Sequence, residues 1–163
     1  MDSQKKLIVG WFSFTCSEDS TILLTELLND HLDEWKERME FRYFKALKSD
    51  NRLEKLDVAF VEGVISSESQ ATEAKKIREN SRYVIAVGSC ACTGRPSTSR
   101  MDLKEEQIDE KIKYYIDHFD YSPEVKKLSA VIAIDDMVPG CPMNTTLFLQ
   151  TLEKFYQICM TER

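Results

Sequence analysis

Five cysteines carry most of the chemistry that this 163-residue chain could perform: Cys16, Cys90, Cys92, Cys141 and Cys159. An odd number of thiols does not suit a disulfide framework, which makes metal or redox chemistry the better expectation. Their neighbours are as informative as their number. Cys90 sits in Gly88-Ser89-Cys90-Ala91 and Cys141 in Val138-Pro139-Gly140-Cys141-Pro142, where glycine permits unusual dihedrals and proline fixes the chain and removes an N–H donor. Cys16 follows an apolar run and lies within a polar, hydroxyl-rich stretch from Thr15 to Thr21. Thiolates from separate loops are the usual ligands of iron–sulfur clusters, so thiols brought together by a fold read as a metal–sulfide site.

The elements that would position them alternate between strand and helix. Leu7 to Phe14 is an almost continuous apolar run, as in a strand covered on both faces. Ile22, Leu23, Leu24, Leu27, Leu28, Leu32 and Trp35 then recur at helical spacing, with Asp19 or Ser20 at the start. Glu40 to Leu47 alternates as a second strand, and Leu56 to Val61 is a third, ended by Glu62-Gly63. A helix is expected over Ser66 to Ser81, a strand over Tyr83 to Val87, and a long polar loop with Gly94 and Pro96 after it. Asp102 to Phe119 has amphipathic spacing, Ala130 to Ile134 reads as the fifth strand, and a closing helix runs from Thr145 or Thr146 to about Met160.

Strand–helix alternation of this kind predicts an α/β fold: a doubly wound parallel sheet of about five strands with helices on both faces, formed as a single domain over 1–163. Ligands of such sheets bind beyond the carboxyl ends of the strands, near the reversal in strand order. Cys16 lies just past the first strand, Cys90 just past the fourth and Cys141 in the loop after the fifth, so all three are expected at that edge. Cys159, on the apolar side of the last helix, reads as a core residue.

Bulk properties narrow the remaining classes. Hydrophobic content is 42% and the net charge is −6, from interspersed charges of both signs, which argues against nucleic acid and anionic membrane surfaces. No apolar run approaches the roughly 20 residues of a membrane span, and no export signal is visible, so a cytoplasmic location is expected. His31 and His118 stand alone on expected helices and read as surface residues.

Taken together and in order, Cys16-Ser17-Glu18-Asp19-Ser20, Val61-Glu62-Gly63, Gly88-Ser89-Cys90-Ala91 and Val138-Pro139-Gly140-Cys141-Pro142 resemble the small subunit of NiFe hydrogenases and the 20 kDa subunit of respiratory complex I. The resemblance implies a flavodoxin-like fold, a proximal 4Fe-4S cluster ligated by Cys16, Cys90 and Cys141, and electron transfer between a NiFe-type large subunit and a flavin- or ferredoxin-type subunit. The catalytic centre would then lie on the large subunit. It also implies that Glu62 and Gly63 lie close to the cluster, with Thr15 and Ser89 as donors to its sulfurs. The first motif departs from the family, which has a second cysteine either adjacent to the first or three residues on. Ser17 and Asp19 occupy those positions here, so Asp19, Ser17 and Cys92 are all candidates for the fourth ligand, and a 3Fe-4S or oxygen-ligated cluster is an alternative. Two other readings compete: a complex I-like redox module without hydrogenase activity, and a flavodoxin-type FMN carrier using the Thr15 to Thr21 loop.

Overall fold

The computed structural model describes residues 5–102, 108–119 and 121–162. Its centre is strand β3 (Leu56–Glu62), in which every residue is buried. Such complete burial requires neighbours on both edges and layers on both faces. The edges are β1 (Leu7–Ser13) and β4 (Ser81–Val87), and the sheet continues outward to β2 (Met39–Phe44) and β5 (Asp136–Val138). The strand order is β2-β1-β3-β4-β5 and every pairing is parallel. The chain therefore steps one way from β1 to β2 and then crosses back to β3, which puts the reversal between β1 and β3. This is the expected α/β architecture.

Alternate residues of the central strands feed two cores. On one face Leu7, Val9, Trp11, Val58, Phe60, Ile85 and Val87 pack against α1 (Asp19–Arg38) and α5 (Thr145–Thr161). Leu24, Leu27 and Trp35 are the buried stripe of α1; Phe148, Leu152, Phe155 and Cys159 are that of α5. The rings of Phe60 and Phe148 lie 5.2 Å apart in an edge contact, and each buried ring is worth about 1.5–3 kcal/mol in transfer free energy alone. On the other face Phe12, Ala59, Val61, Val84 and Ala86 meet Ala74 and Ile77 of α2 (Glu68–Glu79) and Ala91 and Cys92 of α3 (Gly88–Thr93). Side chains cap two of these helices: Ser67 accepts from the Gln70 N–H, and Asn144 from the Leu147 N–H.

Three elements differ from the sequence expectation. The fifth strand is Asp136–Val138 rather than Ala130 to Ile134. The apolar run instead makes a 3-10 turn at Leu128–Ala130 and drops Leu128 and Ile132 into the second core. Sheet pairing is taken up beyond it, where the Asp135 N–H reaches the Val84 carbonyl and the Asp135 carboxylate accepts the Val84 N–H. A short apolar run is equally compatible with a strand and a buried turn, and here burial under α2 and α3 decides. The expected loop after β4 begins with the six-residue helix α3, ended by Gly94 in a left-handed conformation. The expected helix over Asp102 to Phe119 is α4 (Glu110–His118), preceded by a 3-10 turn at Ser97–Asp102; residues 103–107 of that span lie outside the described residues.

Candidate metal centre

The β1–β3 reversal is where the first thiol emerges. After Ser13 the chain bridges to the segment following β3 through mutual backbone hydrogen bonds between Thr15 and Val64, 3.1 and 2.9 Å long. Gly63 makes that bridge fit. Its φ is +92°, and a Cβ there would stand 2.7 Å from the Phe14 carbonyl carbon. Cys16 follows directly and packs against a small apolar cluster formed by Val64, Cys90 and Val125.

The other two loops are tied to the same place. Ser89, at the start of α3, donates its N–H to the Gly140 carbonyl at 2.7 Å, and the buried Ser20 hydroxyl accepts the Met143 N–H at 3.2 Å. Gly140, with φ +126°, allows the loop to double back: a Cβ would run into the Pro142 carbonyl oxygen. Cys141 is thereby exposed at the start of α1, where its Sγ donates to Asp19 Oδ2 at 3.1 Å and meets the Ser17 hydroxyl. The Cys90 Sγ lies 3.1 Å from the Ser97 hydroxyl.

Cys16, Cys90 and Cys141 thus share one edge of the sheet, with Asp19 and Ser17 among them. Cys92 does not join them. It is buried in the opposite core, and its Sγ points back to the Ala86 carbonyl at 3.5 Å. Burial pushes its thiol up to about 11. Cys159 is fully buried against the other face, as its helical position predicts. Of the remaining named residues, Thr15 shares its hydroxyl with Ser66 at 2.6 Å and with Gln70.

Glu62 lies behind Cys16 and is 2% exposed. Its carboxylate accepts from Ser13 at 2.7 Å and from the Thr21 hydroxyl, which in turn accepts the Trp11 indole N–H at 2.7 Å. Burial, opposed by these two donors and assisted by the charges of Asp19 and Glu18, holds the Glu62 carboxyl above the ordinary glutamate range. Burial and the Glu62 charge together push the Cys16 thiol up to about 12. As a free side chain Cys16 is accordingly a thiol, and becoming a thiolate ligand requires a compensating positive charge at this edge.

A family model described as NADH ubiquinone oxidoreductase, 20 kDa subunit, matches residues 16–155, which begin at Cys16 and include Cys90 and Cys141. The chain belongs to this family. Among its relatives are the gamma chain of the coenzyme F420 hydrogenase of Methanosarcina barkeri, 27% identical over 79% of this chain and 43% of that protein, and the delta chain of sulfhydrogenase 2 of Pyrococcus furiosus, 29% identical over 77% and 52%. A component of the F420-non-reducing hydrogenase vhu of Methanocaldococcus jannaschii is 31% identical over 71% of this chain and 44% of its own length. The chain spans about half the length of these relatives. In fold it is similar to a chain of an NAD+-reducing NiFe-hydrogenase in the H2-reduced state, with a TM-score of 0.77 and 17% identity over 93% of this chain and 92% of that one. A reduced, active NiFeSe hydrogenase from Desulfomicrobium baculatum gives 0.61 and 16%, over 91% and 61%.

The cofactor that this family implies can be tested against the residues at the edge. Among the described residues no three His, Cys, Asp or Glu side chains are placed to hold a single metal ion. A cluster asks for something else, since its ligands bind separate irons and inorganic sulfide fills the space between them. Three thiols on three loops, a carboxylate against one of them and the Glu18 N–H donating to Cys16 Sγ at 3.3 Å form a donor set of that kind. The residues therefore fit an iron–sulfur cluster by donor chemistry rather than as a preformed single-ion cage.

The sequence pattern did not reveal the partners of these groups. Ser97 gives no signal in its polar loop. The Trp11, Ser13 and Thr21 network around Glu62 was partly accessible, because Trp11 and Ser13 share a strand face and Thr21 falls in the first turn of α1.

Proposed function

We propose that this chain is the electron-transferring small subunit of a NiFe-hydrogenase-type complex, with Cys16, Cys90 and Cys141 as ligands of one proximal iron–sulfur cluster of the 4Fe-4S type. The reading is supported by the placement of these thiols on loops at one edge of the sheet, Cys16 beside Cys90 and Cys141 against Asp19, in a chain whose relatives are named as hydrogenase subunits. The bound cluster would supply one-electron storage and transfer, which no side chain here provides.

The protein's own residues set the conditions. The Glu18 N–H supports charge on the Cys16 sulfur. The Ser97 hydroxyl does the same at Cys90, and Ser17 at Cys141. Glu62, next to Cys16, opposes further negative charge at the edge, while Gly63 and Gly140 hold the loops that carry Cys16 and Cys141. Cys141 is exposed, so a large NiFe-type subunit covering this edge would exclude water from it and hold the catalytic centre. A flavin- or ferredoxin-type subunit would be the other electron partner. No helix among the described residues is long and apolar enough to cross a membrane.

A complex I-like redox module without hydrogenase activity is the second reading, favoured by the description of the family itself. Paired C-x-x-C motifs in the large subunit that binds this chain would select the hydrogenase reading, and their lack the other. The FMN-carrier reading is opposed by the hydroxyls of the Thr15 to Thr21 loop, which are engaged within the protein: Thr15 with Ser66, Ser20 with the Met143 N–H, Thr21 with Glu62. Electron paramagnetic resonance of anaerobically purified protein tests the proposal. A fast-relaxing signal that appears on reduction with dithionite is expected; a flavin radical, or no paramagnetic species in either state, would overturn it.

A further inference from the structure

We infer that Asp19 supplies the fourth ligand of this centre, so that one iron is held by a carboxylate oxygen and the other three by thiolates. The inference rests on the cluster reading above and selects among the three side chains that the sequence left open.

Cys92 is removed by position. It lies in the core under α2, on the far side of α3 from the edge, and its sulfur is turned to the Ala86 carbonyl. Ser17 and Asp19 both touch Cys141, but they differ as ligands. A serine oxygen must lose a high-pKa proton to bind iron as an anion, whereas aspartate carries the same unit charge as the thiolate it would replace.

The local backbone is arranged for this use. Glu18, the N-cap of α1, is in the left-handed region at φ 58° and ψ 19°, and makes no side-chain cap bond. A non-glycine residue there costs on the order of 1 kcal/mol. That turn lets the Glu18 N–H reach back to Cys16 Sγ while Asp19, the next residue, reaches across to Cys141 Sγ. One turn of chain thereby joins the side chains of the first and last cysteine loops through a carboxylate. An aspartate in the first turn of a helix also gains about 0.3–1 kcal/mol from the helix dipole, which is its plain structural role. The two roles separate experimentally, because a dipole contribution changes stability and leaves metal content alone.

The test compares iron and acid-labile sulfide per chain, and resonance spectra of the oxidised state, for the full chain purified anaerobically and reconstituted with ferrous iron and sulfide. Wild type and Asp19→Cys are expected to hold about four irons. Asp19→Asn, which keeps the shape and removes the anionic donor, is expected to hold about three and to show the oxidised three-iron signal that wild type lacks. Cys92→Ala should match wild type, and Ser17→Ala, which removes a hydrogen bond to the Cys141 sulfur but no ligand, should still hold about four irons. Circular dichroism confirms folding of each variant, and Asp19→Cys provides the rescue. An Asp19→Asn variant with unchanged iron content and spectrum, or loss of one iron in Ser17→Ala or Cys92→Ala instead, overturns the assignment of Asp19 and leaves the cluster standing. Folded wild-type chain with no iron or sulfide overturns the cluster reading and this inference together.

Discussion

The Thr21 hydroxyl donates to the carboxylate of Glu62, joining the first turn of α1 to the end of the central strand across the sheet reversal. The same oxygen accepts from Trp11, so one small side chain satisfies a buried acid and a buried indole. Thr21→Val keeps the shape, strands the Trp11 indole N–H and leaves Glu62 with the Ser13 donor. A loss of about 1–3 kcal/mol is expected in urea unfolding, with Thr21→Ser recovering most of it. A Thr21→Val chain as stable as wild type would show that the network contributes nothing.

Glu62 gives a pH dependence with a definite sign. Its folded-state carboxyl is held above the free value of 4.5, chiefly by burial. Well below that value both states bind the proton and the group is neutral in effect. As pH rises the unfolded chain ionises first, so stability falls until the folded carboxyl also ionises, and stays lower beyond. Glu62→Gln in metal-free chain should therefore gain stability relative to wild type as pH rises from about 4 to 8. A difference that is constant over the range, or that moves the other way, contradicts the assignment of a penalised carboxylate.

Gly63 is fixed by backbone atoms rather than by mobile side chains. A Cβ would stand 2.7 Å from the Phe14 carbonyl carbon and 2.9 Å from the Thr15 nitrogen, at a φ of +92°. Gly63→Ala is expected to cost more than about 1 kcal/mol and to disturb the bridge that leads to Cys16. Thermal unfolding and cluster content should fall together.

Phe60, Phe148 and Trp11 form a mutual aromatic contact between β1, β3 and α5, with centroids 5.2 to 6.0 Å apart. Phe148→Ala should destabilise the chain by about 3–5 kcal/mol. The Phe60→Ala, Phe148→Ala pair should cost less than the sum of the single changes, because the two share one cavity. Urea midpoints of the three variants check this.

Much of the scaffold could be read from residue pattern, for a physical reason. The runs at Leu7 to Phe14 and Leu56 to Val61 are apolar on both faces, which only central parallel strands and their helices accommodate. Ala130 to Ile134 looked the same at short length, yet became a turn because Leu128 and Ile132 find cover beneath α2 and α3. Glycine, serine and alanine after β4 suggested a loop and form α3, since a six-residue helix needs little propensity when its small residues pack on the sheet. At the site, Cys16, Cys90 and Cys141 were marked by their place after strands. The separation of Cys92 from Cys90 was not visible, because it depends on which side of a two-turn helix each thiol faces.

The central claim is that three thiols from separate loops hold a metal–sulfide group at this edge. Iron and acid-labile sulfide, assayed on anaerobically purified and reconstituted chain beside a Cys90→Ala variant, test it most directly. The account predicts close to equal amounts of both, about four per wild-type chain, and severe loss in the variant. Folded wild-type protein that retains neither, or a Cys90→Ala chain that retains both in full, would contradict it.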